Sequence, residues 1–111
     1  MPVHLTRRRY VVFQVLSEQI PDGRTVLEAI RDSIGTLFGE VGVSQVHFTP
    51  ISYDETKGIG IIRCDHENAQ GLRAAIAFVD HIGSRRASIL VKGVSGTLKS
   101  AGAKFLSETH A

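Results

Sequence analysis

The sequence predicts an α+β domain in which strands and helices follow the order β-α-β-β-α-β, with one more helix at the C-terminal end. Short stretches rich in β-branched and aromatic residues alternate with longer stretches of helical apolar periodicity. Glycine, proline and aspartate stand between these stretches at turn positions. A chain of 111 residues can bury one independent core, so we expect residues 1–111 to form a single domain.

The first third of the chain predicts a strand and a helix. Residues 8–16 are β-branched and aromatic and indicate the first strand. Thr25 and Glu28 have the spacing of a capping box, which predicts a helix start there, and Gly42 is expected to end the helix. The expected buried stripe of this helix comprises Leu27, Ile30, Ile34, Leu37 and Val41.

The middle of the chain predicts a hairpin. Residues 44–53 alternate as a strand, and Pro50, which cannot donate to a sheet ladder, indicates an edge strand or a bulge. Residues 54–57 predict the hairpin loop, and the mostly apolar residues 58–64 predict the third strand. Asp65 is then suited to cap a second helix.

The last third predicts the remaining elements. The second helix carries Leu72, Ile76 and Val79 on one face and is expected to end near Gly83. Residues 86–91 predict the fourth strand, and Ser95 or Thr97 is suited to cap a last helix. This order is that of the ferredoxin-like, or RRM-like, two-layer sandwich, here with an extra C-terminal helix.

The crossover helices of such a fold cover one sheet face and leave the other open. Strand alternation places five apolar side chains on the open face, and these are the candidate protein-interface residues: Tyr10, Val12, Ile59, Ile61 and Leu90. A monomer rarely exposes so large an apolar patch. Two covers are equally consistent with the sequence: the last helix, through Leu98, Phe105 and Leu106, or a protein partner.

The third strand has the framework of an RNA-recognition motif but not its aromatic residues. Ile59 and Ile61 occupy positions at which aromatic rings would stack on bases. A branched aliphatic side chain offers no π-face. The sequence therefore disfavours the ordinary reading of single-stranded RNA.

The distribution of charge points to a polyanion partner. Residues 1–83 hold eight Lys and Arg against ten Asp and Glu, a formal charge of −2, whereas residues 84–111 hold five against one, a formal charge of +4. A solvated basic face is the simpler alternative.

Because the first and fourth strands are expected to lie side by side and antiparallel, Arg85 and Arg86 fall at one end of the sheet. Five basic residues fall at the other end and form a candidate phosphate-binding cluster: Arg7, Arg8, Arg9, Lys92 and Lys99. The turn over residues 93–97 would add N–H donors at a helix N-terminus.

No catalytic residue and no metal ligand is assigned. The sequence contains no nucleophile elbow, phosphate-binding loop or metal-ligand spacing. Its one cysteine, Cys64, is expected to be a small core residue, and its solitude favours a reducing, cytoplasmic setting. No apolar stretch approaches the length of a membrane span, so no membrane partner is expected.

Several blocks resemble the archaeal ribonuclease P protein component 2 family, which has a eukaryotic counterpart. The resemblance covers about residues 8–106 and is carried by Arg8-Arg9-Tyr10, residues 48–56, Gly60-Ile61-Ile62-Arg63-Cys64-Asp65, Gly93-Val94-Ser95-Gly96-Thr97-Leu98-Lys99 and Lys104-Phe105-Leu106. It departs from the family at residues 100–103, which supply no charge where the family has a more basic last helix.

The resemblance implies a non-catalytic subunit of a ribonucleoprotein endonuclease. Its partners would be the ribonuclease P RNA and the barrel-like protein component 3, with a homodimer inside a two-plus-two assembly, and it would meet precursor tRNA indirectly during 5′-leader removal. Magnesium would act with the RNA, and the protein itself would hold no cofactor. The family's basic residues match Arg8, Arg9, Arg63 and Lys99.

A second function remains open on the residues alone. A ferredoxin-like regulatory or protein-interaction module would use the apolar open face and need no RNA. The missing stacking aromatics favour this alternative, and the basic C-terminal third opposes it.

Overall fold

The computed structural model of this protein describes the backbone of residues 7–109 and the side chains of residues 7–42 and 44–105. The strands are β1 (Arg8–Leu16), β2 (Phe48–Asp54), β3 (Ile59–Asp65), β4 (His81–Ile82), β5 (Arg85–Arg86) and β6 (Ser88–Ser95). The helices are α1 (Gly23–Gln45), α2 (Ala69–Phe78) and α3 (Leu98–Thr109), and a 3-10 turn (His66–Asn68) joins β3 to α2.

Four strands form one antiparallel sheet in the order β2-β3-β1-β6. This is the predicted ferredoxin-like arrangement, with β6 as the fourth strand. β2 lies at the edge, and its register shifts between Pro50 and Ser52. The prediction from Pro50 is therefore confirmed, because the proline sits beside a bulge on an edge strand, where no ladder donor is missed.

The helices α1 and α2 cover one face of the sheet. The core on this side includes Val11, Phe13, Val15, Val26, Ile30, Ile34, Ile62, Cys64, Leu72 and Ile76. Between the helices, the Ser33 hydroxyl donates to the Ala75 carbonyl oxygen at 2.5 Å. That bond satisfies a buried polar side chain inside an otherwise apolar interface.

The last helix, α3, covers the opposite face and packs on β1, β3 and β6. Val12, Ile59, Ile61 and Ala101 form a second buried cluster, with Phe105 packed against it. The cover of the predicted open face is therefore intramolecular for most of the patch. Leu90 and Leu98 remain 47% and 46% exposed, and the side chain of Leu106 lies outside the described residues.

The start of α1 differs from the prediction. Asp22, not Thr25, is the N-cap residue, and its carboxylate accepts from the Thr25 N–H at 2.8 Å. Thr25, three residues after the cap, donates both its backbone N–H and its hydroxyl to the Asp22 carboxylate. These hydrogen bonds, with the charge of Arg24 nearby, hold the pKa of Asp22 below its ordinary value.

The end of α1 also differs. Gly39 has φ 72° and ψ −170°, a conformation that interrupts the helix, and the chain then resumes helical geometry to Gln45. The predicted stop at Gly42 is wrong, and the predicted strand start at residue 44 falls in α1. Two residues of the predicted buried stripe are exposed: Leu37, just before the break, is 38% exposed, and Val41, beyond it, is 65% exposed.

The connection from α2 to the last strand contains a hairpin that the sequence analysis did not predict. The second helix ends at Phe78 rather than near Gly83, and β4 and β5 pair across Gly83 at the turn. Asp65 precedes the 3-10 turn without a side-chain capping bond. The Thr97 cap is confirmed, since its hydroxyl oxygen accepts from the Ser100 N–H at 3.2 Å.

None of the helices in the described part of the chain is long and apolar enough to cross a membrane.

Candidate nucleic-acid interface

One end of the sheet gathers the start of β1 and the ends of β3 and β6. Tyr10 is paired with Arg63 on one side and with Ser95 on the other. The basic residues carried by this end are Arg7, Arg8, Arg9, Arg63 and Lys99, and together they are called the basic end below. The predicted antiparallel neighbours β1 and β6 thus bring the two basic segments of the sequence to one place.

The basic end has two sides. Alternation along β1 puts Arg8 on the face of the buried Val12, under α3, and puts Arg9 on the face of the buried Val11, with α1 and α2. Arg63 follows Ile61 on the α3 side. The predicted cluster is therefore divided by the sheet, with Arg8 and Arg63 on one side and Arg9 on the other.

Lys92 occupies a bulge. Val12 pairs with Gly93 while the next residue, Phe13, pairs with Val91, so Lys92 is the extra residue of β6. It is half-buried, whereas Lys99 lies exposed in the first turn of α3. The predicted position of Lys92 at the end of the strand is wrong, because β6 continues to Ser95 and the bulge lies opposite Val12 and Phe13 in the middle of β1.

Lys104 is a basic residue on the α3 side that the sequence analysis did not assign to the site. A Cβ built on Gly93 would stand 2.7 Å from Lys104 Cδ and 2.8 Å from its Nζ, so the lysine chain lies directly across the backbone of β6. The close approach is possible because Gly93 has no side chain. A glycine in a strand often marks the close approach of another group, so Gly93 was the sequence signal from which this lysine contact could have been predicted.

Cys64 behaves as the predicted core residue. Its side chain is buried on the α1–α2 side. Burial raises the pKa of its thiol to about 11; the Asp65 charge adds to this rise, and the Arg9 charge opposes it. The thiol is therefore neutral near pH 7 and carries no charge into the basic end.

The predicted protein-interface residues differ in accessibility. Val12, Ile59 and Ile61 are buried beneath α3, Tyr10 is half-buried and Leu90 is exposed. Leu90 and part of Tyr10 are within reach of a partner while α3 stays in place. A role for the other three in a protein interface remains a prediction that requires α3 to leave the sheet.

Groups of three or more His, Cys, Asp or Glu that would hold a metal ion are absent from residues 7–109. Only two ion pairs occur among the described side chains, Arg24 with Glu28 and His81 with Asp80. Both lie away from the basic end, on α1 and at β4. The arginines of the basic end thus have no carboxylate partner among the described side chains.

Residues 9–106 match the Rpp14/Pop5 family. The chain is 32% identical over 108 residues to ribonuclease P protein component 2 of Methanosarcina mazei, with 97% of this chain and 91% of that protein covered. It is 36% identical over 107 residues to ribonuclease P protein component 2 of Pyrococcus furiosus, with 96% and 89% covered.

The fold is also similar to a chain in the cryo-EM structure of yeast ribonuclease MRP. The two superpose with a TM-score of 0.70 at 14% sequence identity, covering 87% of this chain and 79% of that one. At this identity the likeness concerns the fold, and it agrees with the ferredoxin-like sheet order described above.

Proposed function

The chain belongs to the Rpp14/Pop5 family of ribonuclease P protein subunits, and from this membership we propose that its basic end binds the ribonuclease P RNA and thereby supports 5′-leader removal from precursor tRNA. The observation that carries the proposal is the convergence of arginines at one end of the sheet without carboxylate partners among the described residues. A guanidinium that is not already paired offers its planar fork of donors to phosphate oxygens.

The proposed contact is with the RNA backbone rather than with its bases. Ile59 and Ile61 are buried beneath α3 and have no aromatic ring to offer a base. Phosphate contacts fix the position and orientation of a protein on folded RNA without reading its sequence. The magnesium-dependent cleavage chemistry is assigned to the RNA, so this subunit would act by binding and positioning.

A barrel-like protein component 3 is the proposed protein partner, with a homodimer within the two-plus-two assembly. Support for a protein contact comes from the helix layer, where Leu37, Phe38 and Val41 expose apolar surface at the end of α1. Exposed apolar patches of this kind are typical of interaction sites. With α3 over most of the opposite face, the helix layer offers more free apolar surface than the sheet does.

Reconstitution of the ribonucleoprotein from the RNA and protein subunits of the same organism tests the proposal. Omitting this chain is expected to slow leader removal, and the Arg8→Ala/Arg9→Ala double variant and Lys99→Ala are expected to reproduce part of that loss while remaining folded. Arg85→Ala/Arg86→Ala, which removes the same charge at β5, is the control and should retain activity. Equal activity with and without the chain at several salt concentrations would refute the proposal, since phosphate contacts weaken as salt rises.

A further inference from the structure

We propose that an open groove between β1, β6 and α2 is a second phosphate-binding site, in which Arg9 and Arg73 hold the RNA backbone on the helix side of the sheet. The inference rests on the proposed function and extends it from Arg9, a residue of the predicted cluster, to Arg73, which lies outside that cluster. The groove has a volume of about 690 Å³. Its polar walls are formed by Arg9, His66, Glu67, Gln70 and Arg73.

The fold brings these side chains together from two directions. Arg9 lies on the helix side of β1, and its Nη1 stands 3.8 Å from where a Cβ on Gly96 would be, so the guanidinium reaches the turn between β6 and α3. His66, Gln70 and Arg73 follow one another at helical spacing along the 3-10 turn and α2. The His66 N–H donates to the Arg7 carbonyl oxygen at 2.6 Å, which ties this turn to the start of β1.

The charges in the groove are not neutralised within the described part of the chain. Neither Arg9 nor Arg73 forms an ion pair with a described carboxylate. Arg9 Nη1 donates to the Arg8 carbonyl oxygen at 2.9 Å, a bond that orients the guanidinium and leaves its charge in place. Glu67 is the one acid among the groove's lining residues, against two arginines, so the groove retains a net positive charge.

The chemistry of the groove favours a phosphodiester backbone over an acidic protein segment. Its apolar lining is limited to Ala69 and Val94, too little to anchor the apolar side chains on which protein interfaces depend. Two guanidinium groups with an imidazole and an amide supply N–H donors suited to phosphate oxygens. The groove also adjoins the basic end through Arg7 to Arg9, so one RNA strand that passes around the start of β1 would meet both sides of the sheet.

The test is the salt dependence of binding between the full-length chain and in vitro transcribed ribonuclease P RNA from the same organism. Arg73→Ala and Arg9→Ala are each expected to reduce the slope of log affinity against log salt by about 1, the change for one lost phosphate contact. Arg73→Lys should keep the slope, since it keeps the charge, while binding more weakly than the wild type because it loses the fork. Arg85→Ala, the matched loss of one charge at β5, should leave both slope and affinity unchanged.

The outcomes separate this inference from the proposed function. A wild-type slope near zero refutes the proposed function and this site with it. A normal wild-type slope that Arg9→Ala and Arg73→Ala leave intact overturns the groove alone. The groove is also overturned if these variants leave the slope unchanged but lose a protein subunit from the assembled complex, since the groove would then bind an acidic protein segment.

Arg73 is an exposed residue of α2 whose removal breaks no hydrogen bond of the described structure, so this variant remains informative even if Arg9→Ala unfolds.

Discussion

Ala101 of α3 and Val12 of β1 belong to one buried cluster, and neither side chain is accessible to solvent. The small side chain of Ala101 lets the helix backbone come close to the sheet, so that Val12 and Ile61 are covered without a protein partner. The uncharged stretch over residues 100–103 thus has a packing role here. The face that an RNA-recognition motif would use for bases is closed.

Enlarging Ala101 should therefore weaken the hold of α3 on the sheet. We expect Ala101→Leu to lower the free energy of unfolding by about 1–3 kcal/mol, the usual cost of overpacking a closed interface. Ala103→Leu, at an exposed position of the same helix, should change it by no more than about 0.5 kcal/mol. Urea denaturation measures both, and equal effects of the two substitutions would show that α3 does not pack as described.

The hydrogen bond between the two crossover helices gives a second prediction. Ser33→Ala removes the donor to the Ala75 carbonyl oxygen and leaves that buried acceptor unsatisfied. The expected loss in the free energy of unfolding is about 1–3 kcal/mol. Thr36→Ala, which removes an exposed hydroxyl from the same helix, is the control and should be close to neutral. A Ser33→Ala variant as stable as the wild type would mean that the interhelical bond contributes nothing.

Tyr53 gives a prediction in alkaline solution. Its hydroxyl donates to the Pro21 carbonyl oxygen at 2.7 Å. Burial and nearby carboxylates, chiefly that of Glu55, raise its pKa from the ordinary value near 10 to about 12. The folded state favours the neutral phenol of Tyr53. The stability that Tyr53 contributes is therefore complete below pH 10 and is lost as the pH rises from 10 towards 12.

The chain has two tyrosines, so Tyr10→Phe leaves Tyr53 as the only phenol to titrate. Spectrophotometric titration of this variant should give ionisation near pH 12. Tyr53→Phe should flatten the loss of stability between pH 10 and 12 relative to Tyr10→Phe. Ionisation of Tyr53 near pH 10 in the folded protein would contradict its burial.

Local sequence patterns were sufficient for the order of the main elements, because apolar periodicity reports the face that each element buries. Pro50 correctly indicated an irregular edge strand, and alternation correctly put Cys64 on the helix side. The break in α1 was misplaced because Gly39 and Gly42 are equivalent in the sequence, and only tertiary packing selects the one with positive φ. The short β4–β5 hairpin has two-residue strands, too short for any periodicity.

The candidate site was only partly predictable. The expected strand pairing was enough to place Arg8, Arg9 and Lys99 at one end of the sheet. The separation of Arg8 from Arg9 onto opposite faces follows from the alternation of side chains along β1, which the sequence analysis applied only to the apolar residues. Arg73 was missed because α2 was treated only as a core element. Its position beside Arg9 follows from the fact that β3 ends where β1 starts.

The central claim is that positive charge at the start of β1 binds the backbone of folded RNA. Its most direct test compares two double variants that remove equal charge from different places: Arg8→Ala/Arg63→Ala at the basic end, and Arg85→Ala/Arg86→Ala on β5, which belongs to the separate β4–β5 hairpin and not, as predicted, to the four-stranded sheet. The account predicts that the first pair lowers the salt slope of binding to ribonuclease P RNA by about 2, and that the second pair leaves it unchanged. Equal slopes for both pairs would contradict the claim, since binding would then depend on net charge and not on this surface.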